Sequence, residues 1–371
     1  MKIGFDAKRI YHNTSGLGNY GRDLVRILAN YYSDNNYLLY NPKLKKVKRL
    51  LEKNNITEVL PDIKLWTKLS SIWRQGPIVK QLQRDNIDIF HGLSGEIPNG
   101  IQKTKIKSVV TIHDLIFVRF PELYSFFDRK IHLNKVKFAA NNADKIIAIS
   151  EQTKKDIIKF LKIDESKIEV IYQGCHGSFK EEKSLEFKTE VKQKFKLPEK
   201  FVLNVGAINE RKNILSLIKS IQNIATPLII IGGKTPYFKV LETYIKENQL
   251  QEKVRFLENV SMQELAVIYQ MASVFVYPSI FEGFGIPIIE ALYSKTPVIT
   301  STGSCFSEAG GPNSIYVKPK DIETLSNKIQ LVLDDEKLAN NMIEKGFEFV
   351  QKFNDDVIAE KYFSIYKHLL R

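Results

Sequence analysis

Two glutamates eight positions apart are the most specific chemical signal in the sequence. Glu282 and Glu290 belong to the segment 279–292, which reads SIFEGFGIPIIEAL. The two glycines between them predict a loop, and Pro287 suits the first turn of a helix. We expect Glu282 to lie in the loop and bind sugar hydroxyls, and Glu290 to accept hydrogen bonds from a ribose diol. The alternative is that both carboxylates only favour the helix dipole.

Two adjacent cations follow a predicted strand and begin a predicted helix. Arg211 and Lys212 come after the apolar run 201–205 and precede a helix that starts near residue 213. Unpaired amide groups at a helix N-terminus, together with two cations, suit a pyrophosphate group. The alternative is an ordinary surface pair, but the position beyond a strand favours a binding role.

Three glycines near the N-terminus form the pattern G-x-G-x-x-G. Gly16, Gly18 and Gly21 suggest a dinucleotide-binding fold, but eight residues separate the first of them from the predicted first strand. The second strand, ending at Asn41, lacks an acidic residue to hold a ribose. These glycines could instead let backbone amides approach a phosphate or a sugar. The alternative is a tight turn.

Polar residues also follow two other predicted strands. His113 and Asp114 come after the apolar run 109–112, and Ser150 comes after 146–149. Ligands bind beyond the carboxyl ends of parallel strands, so we predict a functional role for His113 and consider one for Asp114. Ser150 fits first an N-cap of the next helix, with a site role as the alternative.

Alternating strands and helices place these residues. The pattern is typical of parallel α/β units. Strands are predicted at 2–7, 37–41, 88–91, 107–113, 145–149, 168–172, 201–205, 227–231, 254–257, 273–277, 297–300 and 315–317. Helices are predicted at 19–32, 70–85, 124–142 and 151–161, and from about 213, 237, 262 and 286. Ser261 and Glu264 have the spacing of a capping box.

The chain divides into two halves that begin alike, each with a strand, a glycine-containing loop and a helix. We predict two Rossmann-like parallel-sheet domains facing across a cleft, at 1–180 and 181–371. The segment 174–200 is predicted to be a connection that joins neither core. The last helix, about 357–370, has an apolar stripe and could cross back to the N-terminal domain.

Composition restricts the class of protein further. The chain has 371 residues, 43% of them hydrophobic, which suffices for two cores. Lys and Arg number 55 against 42 Asp and Glu, and the whole excess lies in residues 1–180, with 31 against 18. The basic clusters are Lys43, Lys45, Lys46, Lys48 and Arg49, then Lys103, Lys105 and Lys107, then Arg129, Lys130, Lys135 and Lys137. An anionic membrane surface and a solvated lysine-rich face are the two interpretations; nucleic acid is not expected.

Several classes of site lack support in the sequence. Two cysteines, Cys175 and Cys305, are too few for a disulfide framework and are not paired for zinc. No Asp-x-Asp pair occurs, so no metal is expected to neutralise a nucleotide diphosphate. The start of the chain lacks a long apolar stretch, and no apolar run could span a bilayer, which predicts a cytoplasmic protein that is soluble or at most peripheral.

In their order along the chain, these motifs resemble the family-four retaining glycosyltransferases of GT-B fold. The resemblance rests on the segments 15–18, 111–115, 211–213 and 281–285 and on Glu290. Within that family the chain looks most like bacterial mannosyltransferases that build O-antigen or capsule chains, which share the His-Asp-Leu motif and the stretch that follows it at residues 119–122.

The resemblance implies an activity and a role for each motif. We expect transfer of a sugar, first choice mannose from GDP-mannose, to a hydroxyl of a lipid-linked or oligosaccharide acceptor, with retained configuration and without a cofactor. The implied contacts are Gly16 and Gly18 with the donor phosphate or the acceptor, His113 and Glu282 with the transferred sugar, Arg211 and Lys212 with the pyrophosphate, Glu290 with the ribose, and the amides of Phe284 and Gly285 with sugar hydroxyls. Ala207 departs from several branches, which have a basic residue there. The alternatives are a UDP-sugar donor, a sugar-nucleotide epimerase of the same fold and, on the glycine pattern alone, a nicotinamide oxidoreductase.

Overall fold

Two units make up the part of the chain that the structure, a computed structural model, describes: residues 1–13, 16–44 and 53–371. Unit 1 comprises Met1–Gly174 and Phe353–Arg371, and unit 2 comprises Cys175–Lys352. Ser15 and the predicted basic residues Lys45, Lys46, Lys48 and Arg49 lie outside the described residues.

Each unit is built on one parallel sheet. The strands of unit 1 are β1 (Lys2–Asp6), β2 (Asn36–Tyr40), β3 (Ile56–Val59), β4 (Ile89–Gly92), β5 (Lys107–Ile112), β6 (Lys145–Ala148) and β7 (Ile168–Val170). Those of unit 2 are β8 (Val202–Val205), β9 (Leu228–Ile231), β10 (Val254–Leu257), β11 (Val274–Tyr277), β12 (Val298–Ser301) and β13 (Ile315–Val317). Central strands such as β4, β9 and β11 are buried at every position, as expected for parallel strands covered on both faces.

The strand orders define one ligand position in each sheet. The order is β3-β2-β1-β4-β5-β6-β7 in unit 1 and β10-β9-β8-β11-β12-β13 in unit 2. The order therefore reverses between β1 and β4 in one sheet and between β8 and β11 in the other. Loops that follow such strands at their carboxyl ends are where doubly wound sheets bind ligands.

Helices connect the strands. In unit 1 these are α1 (Lys8–His12), α2 (Gly16–Tyr31), α3 (Lys64–Lys68), α4 (Ser70–Gln75), α5 (Ile78–Arg84), α6 (Ile116–Arg119), α7 (Phe126–Asn142) and α8 (Glu151–Asp156), which continues as a π-helix, Ile157–Leu161. In unit 2 they are α9 (Leu185–Phe195), α10 (Ile214–Ser220), α11 (Phe238–Glu247), α12 (Met262–Met271), α13 (Ile286–Tyr293), α14 (Phe306–Gly310), α15 (Ile322–Asp334) and α16 (Glu336–Val350). The last helix, α17 (Asp355–Leu369), belongs to unit 1.

Helix α17 completes one of the two cores of unit 1. Its side chains Ile358, Tyr362 and Tyr366 are almost fully buried in a cluster that also contains residues of β1 and α2. The second core of unit 1 lies among α5, α7 and the opposite face of the sheet. The apolar stripe near the end of the sequence therefore packs in unit 1, whose other residues precede residue 175.

The predicted strands and the parallel α/β class are confirmed, with two local differences. β3 was not predicted, because its sequence ITEV is short and has polar residues at its two central positions. The helix predicted over 70–85 is two helices, since Gly76 and Pro77 interrupt it between α4 and α5. The capping box at Ser261 and Glu264 is confirmed at the start of α12.

The prediction of a connection over residues 174–200 is wrong. The segment contains α9, and Phe179, Val191 and Leu197 are buried in unit 2. The ring of Phe179 packs edge-on against Tyr269 of α12 with the centroids 5.6 Å apart. The many Lys and Glu residues concealed this packing, because they occupy the solvent face of α9. The unit boundary accordingly lies at 174/175 rather than 180/181.

The structure also bears on the predicted absences. Among the described residues, no helix combines the length and apolar character needed to cross a bilayer. Cys175 and Cys305 are both buried.

Candidate active site

The carboxylate of Glu282 is the centre of a buried cluster of charges in unit 2. Its Oε1 atom lies 2.7 Å from Arg211 Nη1 and 2.7 Å from Lys212 Nζ, and it accepts a 2.5 Å hydrogen bond from Ser279 Oγ. The ammonium of Lys212 also donates to the hydroxyl of Tyr277. The carboxylate predicted to bind sugar and the cations predicted to bind phosphate are therefore parts of one cluster, which we call the unit 2 cluster.

Two loops at the sheet's reversal point hold this cluster. A short 3₁₀ helix, Glu210–Lys212, follows β8, and the side chain of Asn209 caps it by accepting from the Lys212 amide at 3.2 Å. The loop that carries Glu282 follows β11. The amide of Ile280 donates to the Arg211 carbonyl at 2.9 Å, so the backbones of the two loops are joined directly.

The cluster holds more positive than negative charge. Burial raises the pKa of Glu282, but the nearby charges of Lys212 and Arg211 outweigh it and hold that pKa at about 2. Burial lowers the pKa of Lys212 despite the attraction of Glu282. The Glu282 carboxylate thus contacts two cations, and an anionic ligand beside them would be attracted by both.

The loop after Glu282 is fixed by residues at the start of α14. Ser304 Oγ lies 2.9 Å from the Glu282 carbonyl and 3.2 Å from its amide. The thiol of Cys305 donates to the Phe284 carbonyl at 2.7 Å. Gly285 has φ +118°, a backbone conformation that side-chain-bearing residues rarely adopt. The amides predicted to contact the donor sugar, at Phe284 and Gly285, therefore lie in a constrained loop.

Glu290 lies one turn into α13, as the sequence predicts, and is 8% exposed. Its Oε2 atom accepts a hydrogen bond from the hydroxyl of Tyr269 on α12 at 3.0 Å. This tyrosine, which no sequence motif had identified, orients the carboxylate from the neighbouring helix.

His113 follows β5 in unit 1 and is held by hydrogen bonds at both ring nitrogens. Its Nε2 atom lies 2.8 Å from the Leu93 carbonyl and so must carry the proton, while Nδ1 accepts from the Gln173 side chain at 3.0 Å. The ring of Tyr20 packs edge-on with the centroids 4.6 Å apart. Burial lowers the pKa of His113 to about 4, so the imidazole is neutral at pH 7. Neither Leu93 nor Gln173 was predicted.

Asp114 and Ser150 both have local structural roles. The Asp114 carboxylate accepts from the Ile116 amide at 3.0 Å, at the start of α6. Ser150 caps α8 by accepting from the Thr153 amide at 3.0 Å, which confirms its predicted N-cap. The hydroxyl of Thr153 donates to the His113 carbonyl at 3.1 Å. Ser150 therefore connects to the His113 backbone through Thr153.

The two predicted glycine contacts differ sharply. Gly18 is buried, its amide lies 3.3 Å from Asn13 Oδ1, and a Cβ added to it would lie 2.0 Å from the Asn13 carbonyl oxygen. This close approach explains the glycine without a ligand. Gly16 is exposed at the start of α2, and an added Cβ would meet nothing within 4 Å.

A fully buried polar network lies behind His113, and the sequence did not reveal it. His91 contacts Tyr366 through Nδ1 at 2.7 Å and Thr111 through Nε2 at 2.8 Å. The hydroxyl of Tyr20 contacts Thr111 at 3.0 Å and Tyr362 at 2.7 Å. These residues join α17 to α2, β4 and β5. A tyrosine hydroxyl within the apolar stripe of the last helix could have indicated a buried polar contact. Its partner could not be predicted, because it lies far away in the sequence.

Groups of three or more His, Cys, Asp or Glu side chains that could hold a metal ion do not occur in residues 1–13, 16–44 and 53–371.

Comparison with known proteins places the chain in a family. A family model described as Glycosyltransferase Family 4 matches residues 16–176, and one described as Glycosyl transferases group 1 matches residues 186–349. These two matches correspond closely to unit 1 and unit 2.

Relatives and solved structures agree with this placement. The chain is 34% identical to the O-antigen chain mannosyltransferase RfbU of Salmonella typhimurium, over 60% of this chain and 59% of that protein. It is 25% identical to O-antigen chain mannosyltransferase B of Escherichia coli over the full length of both. The structure of HepE from Anabaena in complex with UDP-glucose superposes with a TM-score of 0.78 at 19% identity, covering 99% of this chain and 100% of that one. The protein belongs to the family-four glycosyltransferases and has the GT-B fold.

Proposed function

We propose that this glycosyltransferase moves mannose from GDP-mannose to a hydroxyl of a lipid-linked or oligosaccharide acceptor in cell-surface polysaccharide synthesis. The choice of mannose is supported by the two relatives named O-antigen chain mannosyltransferases. A UDP-sugar is the second candidate donor, because the similar HepE structure contains UDP-glucose.

The unit 2 cluster is the observation that carries the proposal. When the bond between the anomeric carbon and the phosphate oxygen breaks, negative charge develops on the leaving diphosphate. Arg211 and Lys212, which both contact the Glu282 carboxylate, would stabilise that charge without reorganising. We propose that these cations make a metal ion unnecessary.

The other predicted residues take roles around the sugar and the ribose. Glu282 remains ionised because its pKa is about 2, so it would accept hydrogen bonds from sugar hydroxyls rather than donate a proton. Glu290 would bind the ribose diol, and the amides of Phe284 and Gly285 the sugar. His113, neutral and protonated at Nε2, would contact the transferred sugar. The acceptor hydroxyl would attack the anomeric carbon from the face that the diphosphate leaves and pass its proton to the departing phosphate oxygen. Attack on this face retains the configuration of the anomeric carbon.

We further propose that unit 1 rests on an anionic membrane surface. Large apolar side chains that are at least 40% exposed concentrate in two segments of unit 1: Ile63, Leu65, Leu69, Ile72, Leu123, Tyr124, Phe126, Phe127 and Ile131. Glu96 lies 3.4 Å from Arg74 of α4 and 3.3 Å from Lys135 of α7, so both segments flank one loop. Exposed lysines accompany them, and anionic lipids would attract these cations.

Flotation with vesicles tests the membrane proposal. Phe127 is 76% exposed, so Phe127→Ser should leave the fold intact and reduce recovery with phosphatidylglycerol vesicles. Leu185→Ser is the matched control, since Leu185 is 81% exposed in unit 2. Equal recovery with neutral and anionic vesicles would overturn the proposal.

The donor is tested by thermal shift with GDP, UDP, ADP and dTDP sugars, followed by product analysis with the best ligand. We expect GDP-mannose to raise the melting temperature most, and Lys212→Met to remove most of that shift. Lys239→Met, at an exposed lysine of the same unit, should keep it.

Two results would contradict the proposed function. The first is a protein that no sugar nucleotide stabilises. The second is isomerisation of the sugar when the donor is incubated without an acceptor, followed by NMR, which would identify the epimerase instead.

A further inference from the structure

A second cluster of charges lies at the reversal point of the unit 1 sheet, and none of the donor or sugar contacts proposed above involves it. Asp6 ends β1, and both of its carboxylate oxygens bind the guanidinium of Arg74, with Nε 3.1 Å from Oδ1. Arg74 also pairs with Glu96, which follows β4 and pairs in turn with Lys135. These residues therefore surround the position at which a doubly wound sheet binds its ligand.

Lys8 is a further cation at this cluster. Its amide donates to Asp6 Oδ1 at 3.2 Å, which fixes the backbone just beyond β1. Among the contacts of the described residues, no hydrogen bond or ion pair involves its ammonium. Burial lowers the pKa of Lys8, and the charge of Arg74 lowers it further, while the charges of Glu96 and Asp6 offset only part of this effect. A half-buried ammonium beside a guanidinium costs stability, which is typical of a group kept for a ligand.

Arg9 adds a second cation without a counter-charge. In the part of the chain that the structure describes, no ion pair involves its guanidinium. Burial is the main cause of the low pKa of His113, and the positive charge of Arg9 lowers that pKa further. Arg9 therefore acts on the region beyond the carboxyl ends of the unit 1 strands. The region beyond β1 and β4 thus holds four cations, Lys8, Arg9, Arg74 and Lys135, and two carboxylates, Asp6 and Glu96, an excess of two positive charges.

We propose that Lys8 and Arg9 form an anion-binding subsite in unit 1 that takes the diphosphate group of the acceptor. The excess charge matches a diphosphate, whereas a neutral oligosaccharide would leave both cations unpaired. In the unit 2 cluster, too, an arginine and a lysine lie beside one carboxylate, that of Glu282. The identification of the ligand as an acceptor rests on the proposed function; the anion site itself does not.

The test uses calorimetry with farnesyl diphosphate and with inorganic pyrophosphate. Both are titrated into full-length protein carrying Lys212→Met, so that binding at the unit 2 cations is weakened. In that background, Lys8→Met should weaken both ligands at least about tenfold, which is about 1.4 kcal/mol. Lys80→Met, at an exposed lysine of unit 1, is the control and should change neither. Arg9→Gln is a second variant in case Lys8→Met lowers the melting temperature.

The outcomes separate this inference from the proposed function. Equal losses for both probes would identify the diphosphate, not the prenyl chain, as the recognised group. Farnesyl diphosphate binding that neither Lys8→Met nor Arg9→Gln weakens would overturn the subsite. GDP binding to otherwise unchanged protein should depend on Lys212 and not on Lys8. If GDP binding does not depend on Lys212 while farnesyl diphosphate binding still requires Lys8, the donor assignment fails and the subsite stands.

Discussion

Replacing Glu282 by glutamine should destabilise unit 2 by an amount that depends on pH. The variant keeps the size of the side chain and removes the negative charge that Arg211 and Lys212 both contact. Because burial already disfavours the charged form of Lys212, that loss adds to an existing cost.

The magnitude follows from the pKa of the carboxylate. A fall from the ordinary 4.5 to about 2 in the folded protein corresponds to about 3 kcal/mol of unfolding free energy at neutral pH. Because the folded pKa is the lower one, this stability is present in full above about pH 5 and is lost as the pH falls through 4.5 towards 2. At pH 3, roughly half of it should remain.

The assay is urea unfolding of the wild type and the Glu282→Gln variant at pH 7, 5 and 3, followed by circular dichroism. Trp66 and Trp73 both lie in unit 1, so tryptophan fluorescence reports that unit separately. The control is Glu258→Gln: Glu258 pairs with Lys234 at 2.7 Å but is 53% exposed, so we expect a change within about 0.5 kcal/mol. A difference below about 1 kcal/mol at pH 7, or one that does not shrink between pH 5 and 3, would refute the reasoning.

Two further predictions concern unit 1 and are read from thermal melts by tryptophan fluorescence. Gly18→Ala should destabilise the unit by about 3 kcal/mol or more, because the new Cβ would lie 2.0 Å from a backbone carbonyl oxygen, whereas Gly16→Ala meets open space and should have little effect; similar losses would contradict the packing of α2. Tyr362→Phe removes the 2.7 Å hydrogen bond to the buried hydroxyl of Tyr20 and should cost about 1–2 kcal/mol. Tyr31→Phe, at a side chain that is 51% exposed, is its control, and equal melting temperatures for the two variants would count against the buried network.

The fold was largely predictable because its strands are short apolar runs separated by amphipathic helices. β11, with the sequence VFVY, is an example: all four of its residues are apolar or aromatic, and all four are buried. The failures have a common cause, which is that burial is decided by partners distant in sequence. β3 acquires its place from pairing with β2, and Val191 of α9 is buried although charged residues surround it in the sequence.

The candidate site was predictable as a set of residues but not as an arrangement. Sequence order gave Arg211, Lys212 and Glu282 separate roles, whereas the structure brings them into one contact because β8 and β11 are neighbours in the sheet. His113 was selected by its position after β5, but the hydrogen bonds that fix its tautomer come from Leu93 and Gln173. Such contacts have no local signal, since they depend on strand order.

The return of α17 to unit 1 has a consequence for synthesis of the chain. All of unit 2 leaves the ribosome before Phe353–Arg371, so unit 2 can fold while unit 1 still lacks part of its core. Until α17 arrives, the buried Nδ1 of His91 lacks the Tyr366 hydroxyl and the hydroxyl of Tyr20 lacks Tyr362. The half that begins first is therefore completed last, and a chain that stops early would contain an intact unit 2 beside an unfinished unit 1.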